Sequence, residues 1–175
     1  MDDFLTSQEV QDIINFTLPR FHELPTIDLY MDQVILCMEG YISPLFPQNE
    51  KAFLTSTMIS NYVKQGIVTP PKKKRYTNKH LAYLIVVCLL KHIFSMSQIC
   101  ELIQVHIDKY STDVAYDYFC TELDKALQEV FSPVSSHGES LAMQVTEESE
   151  MVRKAAISYA NYVYIQKYLT FRKHI

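Results

Sequence analysis

"TSTMISNYVKQGIVTPPKKKRYTNKHLAYLIVVCLL", Thr55 to Leu90, sets a short amphipathic segment, a basic loop and an apolar run in immediate succession. Thr55 is placed to open a helix through Gln65, with Met58, Ile59, Tyr62 and Val63 on one apolar face. Ser56, Ser60, Asn61, Lys64 and Gln65 are left facing out. Gly66 stands where a helix closes in the left-handed conformation. Ile67-Val68 has the β-branched character of a short strand, and pairing with Arg75-Tyr76 across "TPPKKK" predicts a small β-hairpin, or wing. Thr77 then caps a helix to about Phe94 that is apolar on most sides.

Helical spacing extends outward from this stretch in both directions. Thr6 with Glu9 makes a capping box for a first helix carrying Val10, Ile13 and Ile14, which Pro19 ends. Thr26 or Asp28 caps a second, with Tyr30, Val34, Met38 and Tyr41 in register, stopped by Pro44 and Pro47. Ser95 and Gln98 form a capping box ahead of Ile99, Leu102 and Ile103. From about Asp108 to Phe131 the apolar positions Ala115, Phe119, Leu123, Ala126, Leu127 and Val130 recur. A last helix, Glu147 to Arg172, carries Val152, Ala156, Tyr159 and Val163. Only "SPVSSHGES", residues 132–140, has linker character. With 48% hydrophobic residues and 3 Gly in 175, the expected class is mainly α. The expected organisation is an N-terminal helical segment (1–26), a domain holding the short helix and the wing (27–106), a winged helix-turn-helix by the family resemblance described below, and a C-terminal helical region (107–175) suited to dimerisation.

Charge is distributed unevenly along the chain. Residues 1–50 hold nine acids and one base, residues 51–100 eight bases and no acid, and residues 101–175 eleven acids and seven bases. The net charge of -4 therefore conceals a basic middle, whose potential concentrates polyanions. The longest apolar run, Leu81 to Leu90, is too short to cross a bilayer and reads as a buried helix. Cys37, Cys88, Cys100 and Cys120 show no CxxC spacing and read as reduced thiols in a cytoplasmic protein. His80, His92 and His106 have no metal-ligand spacing. Nucleotide-binding, zincin and nucleophile-elbow motifs are absent, so no catalysis and no cofactor are expected.

A short helix with a polar outer face followed by a basic wing suits duplex DNA. Ser, Asn, Gln and Lys side chains can meet base edges in the major groove, while wing cations meet phosphates. Pro70 and Pro71 stiffen the loop, so less entropy is lost on docking. The expected DNA contacts are Ser56, Ser60, Asn61, Lys64 and Gln65 from the helix and Lys72, Lys73, Lys74 and Arg75 from the wing.

The stretch from Met58 to Ile103 resembles the N-terminal winged helix-turn-helix of the MerR family of transcriptional regulators. Tyr62, Gly66, Ile67 and Val68 match the end of that family's recognition helix. Tyr76-Thr77, Leu81-Ala82 and Leu84 match the helix after the wing, and Phe94, Ser95, Met96, Ile99, Glu101, Leu102 and Ile103 match the next. Ser60 and Asn61 stand where that family has Arg and Tyr, Lys74 takes the wing arginine position, and Ile93 replaces a Gly. The resemblance implies a DNA-binding transcriptional regulator acting as a homodimer, with double-stranded DNA as its partner. A closer resemblance, in "LPTIDLYMDQV", "LTSTMISNYVKQGIV" and "LLKHIFSMSQI", is to a bacterial family catalogued only as a domain of unknown function, and covers most of residues 24–125. The alternative is a helical interaction module whose basic hairpin docks on an acidic protein.

Overall fold

The computed structural model describes residues 2–46, 53–132 and 145–173, and over these the chain is mainly α-helical. In order come α1 (Asp2–Leu5), α2 (Gln8–Ile14), α3 (Met31–Ile42), α4 (Ser56–Lys64), α5 (Asn78–Leu90), α6 (Met96–Ile107), α7 (Thr112–Phe131) and α8 (Glu147–Arg172). Single 3-10 turns at Phe21–Glu23 and Ser43–Leu45 interrupt the connections.

Several ends fall where the side chains dictate. The Thr55 hydroxyl accepts the Met58 N–H at 3.2 Å and opens α4. Ser95 and Gln98 cap reciprocally at the start of α6, the Ser95 N–H reaching Gln98 Oε1 at 2.9 Å. Gly66, at φ 73°, closes α4: its N–H bonds Val63 O at 3.0 Å and the Ile67 N–H bonds Tyr62 O at 3.0 Å. That pair of bonds is a Schellman closure, which needs the left-handed residue that Gly supplies.

Other boundaries differ from the sequence expectation. Ser7, rather than Thr6, caps α2, accepting the Val10 N–H, and α2 ends at Ile14, before Pro19 is reached. The N-cap of α3 is Tyr30, whose N–H is met by Gln33 Oε1 at 2.9 Å, and neither Thr26 nor Asp28 takes that role. α5 stops at Leu90, and α7 begins at Thr112 because Asp108 and Tyr110 direct their N–H groups to the carbonyls that close α6. Pro47 and all of the linker-like stretch beyond Ser132 lie outside the described residues.

The expected β-hairpin is not formed. Among the described residues there is no strand, only two isolated bridges, Leu29 with Tyr76 and Lys72 with Arg75. The reason is local competition for donors. The N–H groups of Ile67 and Val68 both turn back to Tyr62 O, at 3.0 and 3.3 Å, so they cannot pair across the loop. Tyr76 finds its partner in Leu29 instead.

α5 lies at the centre of the core. From His80 to Leu90 every residue is buried except Tyr83 and Val86, which are half-buried. It packs against α3, α7 and α8, and α7 with α8 forms the most extensive helix pair. Polar ties fasten the acidic N-terminal segment to α7. Asp124 accepts the Leu18 N–H at 3.0 Å and the Arg20 guanidinium at 2.8 Å, and the Tyr116 hydroxyl donates to Pro19 O at 2.9 Å. Lys167 of α8, almost wholly buried, bonds Glu9 at 2.8 Å. These ties fix the N-terminal segment on α7 and α8, and the polar face of α4 stays in solvent.

Candidate nucleic-acid interface

Lys72 O accepts the Arg75 N–H at 2.9 Å, closing a four-residue turn. Its two central residues, Lys73 at φ 50° and Lys74 at φ 61°, are both left-handed. Two successive left-handed residues make a type I′ turn, a geometry usually filled by Asn-Gly. An L-residue with a β-carbon is disfavoured there by about 1–2 kcal/mol. Such a conformation persists only where surrounding structure enforces it.

Both legs of the turn are held from outside. On the outgoing leg, Leu29 and Tyr76 exchange N–H···O bonds of 2.8 Å each. The Arg75 guanidinium carbon lies 3.7 Å above the Tyr30 ring centroid, and Nη1 donates to Asp28 O at 3.3 Å. Cation–π contact and a backbone bond thus fix Arg75 against the segment before α3. On the incoming leg, Thr69 Oγ1 lies 3.3 Å from His80 Nε2. His80 Nδ1 accepts the Thr77 N–H at 2.9 Å, capping α5 from its third residue. Because Nδ1 accepts from an N–H, the ring is neutral with its proton on Nε2, directed at Thr69. Burial holds the His80 pKa below the ordinary 6.5, which keeps that form at neutral pH. One buried imidazole therefore joins Thr69, the residue before the prolines, to Thr77, two residues past the cations.

The sequence-predicted contacts separate into distinct groups. Lys72, Lys73 and Lys74 come together on the turn, all exposed. Arg75 does not join them in solvent; it is half-buried and engaged by Tyr30. On α4 and at its C-cap, Ser56, Asn61, Lys64 and Gln65 are exposed, while Ser60 is half-buried and donates its hydroxyl to Ser56 O at 2.9 Å. Lys91, a member of the same basic block, turns inward and bonds Phe53 O. Sequence reasoning missed Asp28, Leu29, Tyr30, Thr69 and His80 as the supports of the turn. The spacing of Thr77 and His80, a capping box with His in the place of Glu or Gln, was the one local signal of them.

Among the described residues no group of three or more His, Cys, Asp or Glu could hold a metal ion. Burial pushes the Cys88 and Cys120 thiols up to about 12, far from the range of a reactive thiolate. No described helix is long and apolar enough to cross a membrane.

A family model described as "Domain of unknown function (DUF1836)" matches residues 19–119, more than half of the chain, and the chain belongs to that family. The match spans α3 to α6, the lysine turn and both of its legs, and ends within α7. No curated protein and no solved structure matches the chain.

Proposed function

We propose that this chain binds double-stranded DNA, with α4 in the major groove and the lysine turn on a flanking phosphate strand, as a transcriptional regulator. The observation that carries this reading is the turn itself: three consecutive lysines in solvent, two of them left-handed, held by clamps on both legs. The core gains nothing from three exposed cations at that point. A polyanion does, because a fixed cationic turn loses little entropy on docking and releases counterions.

In this scheme Lys72, Lys73 and Lys74 meet phosphates, and Arg75 positions the turn through Tyr30. Asn61 and Gln65 read base edges, with Lys64 and Ser56 on base or phosphate. Ser60 retains acceptor capacity after donating within the helix. The arrangement works in the manner of the MerR-type helix-turn-helix that the sequence resembles, with a tight turn in place of a two-stranded wing. Residues 27–106 are the DNA-binding unit, and 107–175 support a homodimer. Exposed Ile165 and Leu169, one turn apart on α8, suit a contact between copies.

Selection of bound sequences from a random duplex pool at near-physiological salt tests the proposal. A recurring motif is expected, with Asn61→Ala and Gln65→Ala altering its composition. Absence of any enriched sequence, together with no retained duplex, would sink it.

A second reading draws on Ile27 and Tyr30, 70% and 51% exposed beside the outgoing leg. Apolar surface next to cations also suits an acidic protein partner. Under that reading Ile27→Ser weakens the protein complex; under the DNA reading it leaves duplex affinity unchanged.

A further inference from the structure

One face of α8 buries Val152, Ala156, Tyr159 and Val163. The opposite face carries a stripe in alternating steps of four and three residues: Glu147, Met151, Lys154, Ser158, Asn161 and Ile165, then Tyr168 and Arg172. That is the spacing by which one helix meets another along a seam. Met151 and Tyr168 are half-buried and the rest of the stripe is exposed. Exposed Leu169 borders it.

The steps are the same read from either end, so two copies of α8 laid antiparallel bring every member opposite another. Glu147 then meets the second copy's Arg172, opposite in charge. Its neighbours Glu148 and Glu150 are already held by Lys109 and Arg153, whereas Glu147 stays in solvent. Met151 meets Tyr168 in a sulfur–aromatic contact. Lys154 lays its methylene stem over Ile165 and keeps its ammonium in water. Ser158 meets Asn161, and here the donors can be assigned. Ser158 Oγ donates to Lys154 O and Asn161 Nδ2 to Ile157 O, each at 2.8 Å. The serine oxygen is left to accept and the amide has a second N–H to give. A polar pair within a seam lowers stability but fixes register. Parallel pairing would instead set Glu147 on Glu147, Lys154 on Lys154 and Arg172 on Arg172, like charge on like.

We infer that two copies of this chain associate through α8, antiparallel, about a two-fold axis level with Tyr159 and Ala160. The inference rests on the homodimer reading above and supplies its geometry. It holds whether or not α4 meets a groove.

Sedimentation velocity of the full chain over a range of concentrations, without DNA, tests it. A monomer–dimer equilibrium is expected. Ile165→Lys sets a lysine against the second copy's Lys154 and should abolish the dimer, while the substituted site, exposed in the single chain, leaves the fold intact. Glu147→Lys and Arg172→Glu should each weaken the dimer about tenfold, and the two combined should restore it. A monomer at every concentration would overturn both the seam and the homodimer reading. A dimer that survives Ile165→Lys, that both single exchanges leave unchanged, or that the combined exchange fails to restore would overturn the antiparallel seam and leave dimerisation standing.

Discussion

The turn at 72–75 and the helix that begins at Asn78 are neighbours in the chain and opposites in how they are held. α5 owes its conformation to its own residues: a run of Leu, Ile and Val that buries itself against three other helices. The turn owes its conformation to residues elsewhere. Left alone, Lys73 and Lys74 would leave the left-handed region; Leu29, Tyr30, Thr69 and His80 hold them in it. A segment that folds for its own stability belongs to the scaffold. One that is held against its preference, with its charges outward, is a candidate for contact with something else.

The largest effect should come from the helix. Leu84→Ala, at a position with no exposure, should lower stability by about 2–5 kcal/mol, read by urea denaturation. Lys72→Ala should stay within about 0.5 kcal/mol of the wild type. A comparable loss at both positions would erase the distinction between them. Next comes the clamp. His80→Ala removes the acceptor of the Thr77 N–H and the partner of Thr69, and should cost about 1–3 kcal/mol. Amide exchange should quicken at Arg75 to Thr77 while Leu84 to Leu90 stay protected, provided the helix remains independent of the turn.

Relief of the turn should act with the opposite sign. Lys73→Asn with Lys74→Gly suits the left-handed geometry and should raise stability by up to about 1 kcal/mol, while duplex affinity falls. A variant that loses stability would show that the lysines are not strained. The smallest effect is on pH dependence. An unfolded histidine takes up its proton near 6.5, whereas folded His80 does so only at lower pH. Between those points unfolding takes up a proton, so the clamp's contribution is complete above 6.5 and declines as pH falls through the folded value. The His80 ring resonance should titrate below 6.5, and a midpoint at or above that value would contradict the neutral clamp.

What the sequence made legible was whatever depended on near neighbours. Thr55, Gly66, the Ser95–Gln98 box and the start of α8 are all set within a few residues, and each falls as the pattern predicts. The hairpin did not, because its fate turned on competition. Ile67 and Val68 have strand character, yet the Schellman closure that Gly66 makes possible captures both of their N–H groups. The same distant pairing explains the misplaced start of α3: Leu29 is extended against Tyr76, so the cap moves on to Tyr30. In the candidate site, the lysines were visible as charge. The diversion of Arg75 onto Tyr30 and the role of His80 were not, since neither the Tyr30 ring nor the Thr69 hydroxyl is announced by local spacing.

The central claim is that the clamped lysines meet phosphates. Duplex affinity measured across a range of salt, for the wild type and for the Lys72→Ala, Lys73→Ala, Lys74→Ala variant, tests it most directly. The account predicts a slope of log affinity on log salt that is shallower in the variant by about 0.9 for each phosphate left without its lysine, equally for every duplex sequence. An unchanged slope and affinity in the triple variant would contradict it.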